Sequence, residues 1–199
     1  MTKNAGVIAF EGDIRIAAGD LPSVALAAKK AVTRPHHAPI LIFDAETSAP
    51  IELDLRGSRD DVLRRLPAAA PAQSEPEAPR GPGRPKLGVV AREVTLLPRH
   101  WDWLASQPGG ASVALRKLVE QAARANMGKD RIRASQNAAY KFMSVMGGDR
   151  PGFEDAARAL FAGDAATFGH RTATWPADIR EHLEKLAADA LSTPTNAGA

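Results

Sequence analysis

Residues 67–86 read PAAAPAQSEPEAPRGPGRPK. Six of these twenty positions are proline, and alanine, glycine and glutamate fill most of the rest. Such a segment has little apolar bulk to bury, and each proline removes a backbone donor. It therefore reads as an extended linker and not as part of a core. That reading divides the 199-residue chain into two parts, each long enough for a small domain. The fold class expected is α+β. A small ββαββα domain occupies residues 1–66, a Pro-rich basic linker 67–87, a mainly helical domain led by one short strand 88–193, and a disordered tail 194–199.

Upstream of the linker, VIAF at 7–10 and IRI at 14–16 flank EGD, the pattern of a hairpin. Asp20 is placed to cap a helix with Pro22 in its first turn, and Val24, Ala27, Ala28 and Ala31 recur at helical spacing. RPHHAP at 34–39 is a loop, ILIF at 40–43 has buried-strand character, and DAETSAP at 44–50 is a turn. Ile51, Leu53 and Leu55 alternate with Glu52, Asp54 and Arg56, the period of a half-buried strand. Ser58 then caps a short helix ending near Leu66. The expected product is a small sheet with a helix on one face.

Downstream, residues 89–97 are β-prone and stop at Pro98, which opens a short helix, RHWDWLAS, ended by QPGG. Ser112 is read as the cap of a second helix, with an apolar stripe of Leu115, Leu118, Val119 and Ala122 and a stop at Gly128. A further helix carries Ile132, Gln136, Ala139, Met143 and Met146 at spacings of four and three. Asp149 and Pro151 open another, bearing Phe153, Ala156, Ala157, Leu160 and Phe161. Trp175–Pro176 opens the last, bearing Ile179, Leu183, Leu186 and Ala190.

Hydrophobic residues at 44% and charged residues at 25% fit a soluble globular chain, and aromatics at 5% leave the core to aliphatic side chains. There is no cysteine, which excludes disulfides, thiolate zinc sites and a cysteine nucleophile. Glu11 and Asp13 break the first apolar run, so no signal-peptide pattern is formed. No apolar run approaches the roughly 20 residues needed to cross a bilayer. The chain reads as cytoplasmic, without a membrane partner. Its net charge of +3 is unevenly placed: −2 over residues 1–79, +7 over 80–133 and −2 over 134–199. A local basic block attracts polyanions even when the whole chain is nearly neutral.

Within that block, Gly83, Arg84, Pro85 and Lys86 resemble the core of an AT-hook. An extended chain with no bulk at glycine lies deep in a narrow groove, and its arginines run along the A·T floor where the negative potential is strongest. Pro82 stands where the hook pattern has an arginine, and Arg80 is the nearest one upstream. The strand, short helix, glycine turn and second helix that follow resemble the ribbon-helix-helix family of dimeric DNA-binding proteins. The resemblance implies a homodimer in which residues 92–96, including Arg92, pair as a ribbon in the major groove. It also implies that Ser112 with Val113 holds a phosphate at a helix N-terminus. Arg99, Arg116, Lys117 and Arg131 would extend the cationic surface. Over a longer span, LDLRGS at 53–58, GRPKLGVVAREVTLLPRHWDWLASQPGGASVALRKLVE at 83–120, AAYKFMSVMGGDRPGFEDAARALFAGD at 138–164 and WPADI at 175–179 resemble a bacterial family known as a domain of unknown function.

No pattern for catalysis competes. His36, His37, His100, His170 and His182 include no i, i+4 pair, and GGDRPG lacks the Lys-Ser/Thr of a phosphate-binding loop. Asp60 and Asp61 open a helix, where its dipole explains them. Trp101 and Trp103 are read as core of the short helix, with base stacking as the alternative. Tyr140, Phe142 and Met143 are read as core. The expectation is a non-enzymatic DNA-binding protein, a transcriptional regulator favouring A·T-rich sites, with no cofactor and no metal. The alternative is an adaptor whose linker is a tether to an unidentified protein partner.

Overall fold

The computed structural model describes residues 6–67, 90 and 92–192. Its strands are β1 (Val7–Glu11), β2 (Ile14–Gly19) and β3 (Ile40–Asp44). Its helices are α1 (Leu21–Val32), α2 (Arg59–Arg65), α3 (Pro98–Ala105), α4 (Gly110–Gly147), α5 (Phe153–Ala162), α6 (Ala165–Thr172) and α7 (Ala177–Leu191). The chain divides into two compact units. One joins residues 1–69 to 129–199, and the other is 70–128.

In the first unit the sheet order is β2-β1-β3, both pairings antiparallel. Glu11 faces Ile14, so Gly12 and Asp13 make a two-residue turn, and Gly12 has φ 56, a conformation that glycine adopts without strain. β1 is the central strand and is covered on both faces. That is why VIAF is apolar without a break instead of alternating. Val7, Ala9 and Ile42 pack with Val24 and Ala28 of α1, while Ile8, Phe10 and Phe43 pack into the helices that follow the sheet in sequence. The expected helix on one face is therefore corrected to helices on both.

On the α1 side, Asp20 accepts from the Ser23 amide at 2.9 Å and Pro22 lies in the first turn, as the sequence predicts. The expected strand over residues 51–55 is not formed. Pairing is limited to a bridge between Phe43 and Pro50 and a bond from the Ile51 amide to the Ile42 carbonyl at 2.8 Å. Pro50 offers no amide to a ladder. Further along, Asp54 turns the backbone by accepting from the Arg56 amide at 3.1 Å. The alternation still marks burial, since Ile51, Leu53 and Leu55 pack half-buried on the α1 cluster while Glu52, Asp54 and Arg56 are exposed. Ser58 caps α2 in a reciprocal box with Asp61. The observed order is ββαβα, not ββαββα.

On the other face, Phe142 of α4 meets Phe10 and Phe43, each at 5.5 Å between ring centroids. His182 of α7 stacks edge-on to Phe142 at 4.7 Å and lies 6.1 Å from Phe10. The Ser135 hydroxyl donates to the Leu186 carbonyl at 2.5 Å and accepts from the Ala190 amide at 3.1 Å, fixing α4 to α7. The hairpin is fastened at its edge as well. The Arg15 amide donates to Asp178 at 2.8 Å, its guanidinium pairs with Glu181 at 3.1 Å, and Arg150 pairs with Asp13. The sheet and the helices of residues 129–192, which the sequence reading assigns to different domains, thus contribute to one core.

Two helical expectations also change. Gly128 does not stop a helix. α4 runs through it for 38 residues, with nothing near the place a Cβ would occupy. A single glycine costs a helix interior about 1 kcal/mol, and the Ala, Arg, Met and Lys residues around it carry the helix past. α6 had no counterpart in the sequence reading. Asp164 caps it by accepting from the Thr167 amide at 3.0 Å. The helix expected to open at Asp149 and Pro151 begins at Phe153, after Gly152 with φ 81.

Two of the three glycines of α4, Gly128 and Gly147, lead to opposite expectations. Gly128→Ala should raise stability by up to about 1 kcal/mol. A Cβ at Gly147 would meet the Trp175 ring at 2.5 Å, so Gly147→Ala should lower it by roughly 1–3 kcal/mol. Thermal melts followed by circular dichroism should therefore shift Tm upward for the first and downward for the second.

His182 sets a pH dependence. Burial, with Lys185 and Arg15 nearby and only Glu181 opposing them, lowers its pKa from 6.5 to about 4. Between those values the unfolded chain binds the proton that the folded chain refuses. Stability is thus fully present above pH 6.5 and falls as pH drops towards 4, by about 3 kcal/mol. Denaturant titrations of the protein and of His182→Leu should show a slope over this window that the variant lacks, the carboxylates being common to both.

Candidate nucleic-acid interface

The unit of residues 70–128 holds most of the predicted contacts. Arg80, Gly83, Arg84, Pro85 and Lys86 lie outside the described residues. Residues 92–97 form no strand within the chain, and Arg92 is exposed. A ribbon of the expected kind needs a second chain to supply its partner. α3 starts at Pro98, as expected, with Arg99 exposed beside it. Gly109 and Gly110, at φ 86 and 74, turn the chain into α4. Ser112 is the third residue of that helix and not its cap, and its amide is among the first four, which have no partner inside the helix.

α4 is two-sided over this unit. At 3.6 residues per turn, Arg116, Lys117 and Arg124 fall on one side, with Glu120 between them and 4.0 Å from Arg124. Leu115, Leu118, Val119 and Ala122 fall on the other. The apolar side is not covered. Val119 and Leu118 are 64% and 42% exposed, and Val94, Leu97 and Met127 are exposed too. Trp101 and Trp103 were expected in the core, yet they are 40% and 50% exposed. Among the described residues of this unit only Leu104 and Ala114 are buried. α3 is too short to cover the larger side chains.

The basic block of the sequence is not one surface. Arg131 belongs to the other unit and pairs with Asp189 at 3.1 Å, and Arg133 pairs with Asp130 at 3.0 Å. Arg92, Arg99, Arg116 and Lys117 are exposed and have no ion pair among the described residues. Five cations between 92 and 128 face the three carboxylates Glu93, Asp102 and Glu120. This leaves a modest positive excess, gathered on α4.

The first unit carries two concave surfaces that sequence spacing does not reveal. One, of about 490 Å³, lies between α1 and α2 and brings Lys29 and Lys30 to Arg59. The other, of about 570 Å³, is formed by Thr47 after β3, by Asn137 and Lys141 of α4 and by Lys185 of α7. Only the basic pair at the end of α1 was visible in the sequence, and nothing there tied it to Arg59. Among the described residues no three His, Asp or Glu side chains are grouped to hold a metal, and no helix is long and apolar enough to cross a membrane.

A family model described as an uncharacterized protein conserved in bacteria, DUF2239, matches residues 6–187. No curated protein and no solved structure matches the chain. The chain belongs to that bacterial family, in line with the longer of the resemblances seen in its sequence.

The exposure pattern predicts two classes among the three tryptophans. In single-tryptophan variants of dilute protein, Trp101 and Trp103 should emit to the red and be quenched by iodide. Trp175, 3% exposed and donating to the Pro151 carbonyl at 3.1 Å, should be blue-shifted and protected. A blue-shifted, protected Trp101 under those conditions would contradict the uncovered helix.

Proposed function

We propose that this family member is a non-catalytic DNA-binding protein that acts as a homodimer in the cytoplasm and regulates transcription. The observation that carries the reading is the two-sidedness of α4 in the unit of residues 70–128. Cations occupy one side and uncovered leucine and valine the other. Uncovered apolar area of this kind marks a protein contact. A second copy supplies both a matching apolar side and a strand partner for residues 92–97. Arg92, Arg99, Arg116 and Lys117 then face phosphates, and the amides at the start of α4, with the Ser112 hydroxyl, donate to one more. Arg80, Gly83, Arg84, Pro85 and Lys86 serve as the minor-groove hook, which favours A·T-rich duplex. Arg131, held by Asp189, contributes at the margin.

The same apolar side supports a second reading, an adaptor that captures a different protein, with the linker as a tether. The two separate on salt dependence. The protein should bind A·T-rich duplex more tightly than G·C-rich duplex, with affinity falling steeply as salt rises. Arg116→Ala with Lys117→Ala should weaken binding and flatten the log–log slope by about 2, one per lost phosphate contact. Leu118→Asp with Val119→Asp should abolish self-association and reduce DNA affinity with it. No DNA binding at low salt, with self-association retained, would leave the adaptor.

A further inference from the structure

We infer that the groove between α1 and α2 is a binding site for a phosphorylated small molecule with an apolar body. Among the described residues of 6–67, Arg15, Arg34, Arg56, Arg64 and Arg65 all have a carboxylate partner, respectively Glu181, Glu11, Asp54, Asp61 and Asp54. Lys29, Lys30 and Arg59 do not, and these three line one groove. No carboxylate lines it with them. The remaining lining is Leu26, Ala27 and Thr33.

Each feature selects for part of the ligand. Three cations around one depression repel one another, and a bound group carrying two or more negative charges relieves that repulsion. A guanidinium offers a planar fork of donors to two phosphate oxygens, and the lysines add point charges that do not require one orientation. Leu26 and Ala27, half-buried, give an apolar floor that a solvated inorganic ion does not use. The volume of about 490 Å³ is that of a small-ligand cleft. Thr33 donates its hydroxyl to the Lys30 carbonyl at 2.8 Å, so it closes the end of α1 and offers the ligand only acceptor capacity. Ser58 is likewise committed to the α2 cap, which leaves Arg59, the first residue of α2, as that helix's contribution. Lys29 and Lys30 sit well for the dipole of α1, whereas Arg59 is the first residue of α2, where the dipole of its own helix disfavours a cation that a bound anion would offset. The site is in the unit of residues 1–69 and 129–199, shares no residue with the proposed DNA contacts, and does not depend on them.

Isothermal titration with ATP, inorganic pyrophosphate and adenosine on the full-length protein tests the assignment. ATP should bind at micromolar to sub-millimolar concentration, pyrophosphate more weakly, and adenosine not at all. Lys30→Ala with Arg59→Ala, both exposed and outside the core, should weaken ATP at least tenfold with an unchanged circular dichroism spectrum. Leu26→Gln should weaken ATP and leave pyrophosphate as it was. No heat with ATP or pyrophosphate at millimolar ligand overturns the proposal, as does equal ATP affinity in the double variant. If instead that variant loses duplex DNA binding while the wild type ignores ATP, the groove is a nucleic-acid contact and the proposal is wrong.

Discussion

Phe142 fills the space between two parts of the chain that are more than ninety residues apart in sequence. It meets Phe10 and Phe43 of the sheet on one side and the His182 ring on the other, all four fully or nearly fully buried. A three-stranded sheet whose central strand is apolar on both faces needs cover twice over. α1 with residues 51–55 supplies it on one face, and α4, α5 and α7 supply it on the other. The Arg15 and Arg150 contacts at the hairpin, and the Ser135 bond to α7, are placed around that packing and follow from it. A neutral imidazole among phenyl rings, with cations outside it, is tolerated because burial keeps the proton off.

The second unit is built on the opposite principle. Its glycine turn and two helices leave most of their large apolar side chains in solvent. Fewer buried contacts mean less to offset the entropy of ordering the chain, so such a unit gains from a partner. The division of α4 into a cationic and an apolar side then allows two kinds of partner at once, a polyanion and a protein. The first unit, with its closed core and its groove of unpaired cations, offers a site of a different kind, small and concave.

Much of the local structure was legible in the sequence. The hairpin around EGD, α1 with Asp20 and Pro22, the Ser58 cap, β3, the start of α3 at Pro98 and the stripe of α7 rest on signals carried by a few neighbouring residues. Long-range pairing was not legible. The unbroken VIAF run was compatible with a strand covered on both faces, but nothing local named Phe142 as the cover. The alternation at 51–55 correctly marked which side chains are buried and wrongly implied a ladder, because period two reports burial and not hydrogen bonding. Gly128 has the look of a stop, but glycine ends a helix when it turns left-handed, and here it does not. The Pro-rich stretch beyond Pro67 lies outside the described residues, and nothing in it announces that the helices of residues 129–192 return to the sheet. The candidate interface was legible as a charge excess, and the structure scattered it by pairing Arg131 and Arg133. The cluster of Lys29, Lys30 and Arg59 arises only when α1 and α2 are set side by side.

The central structural claim is that the sheet and the helices of residues 129–192 are one cooperative unit held by the Phe10–Phe142 contact. Hydrogen exchange on the full-length protein carrying Phe10→Leu tests it most directly. The account predicts that amides of β1, of the second half of α4 and of α7 lose protection together and by similar factors, since one core supports them all. If the sheet amides exchange faster while α4 and α7 keep their original protection, the sheet is an independent domain and the shared core is refuted.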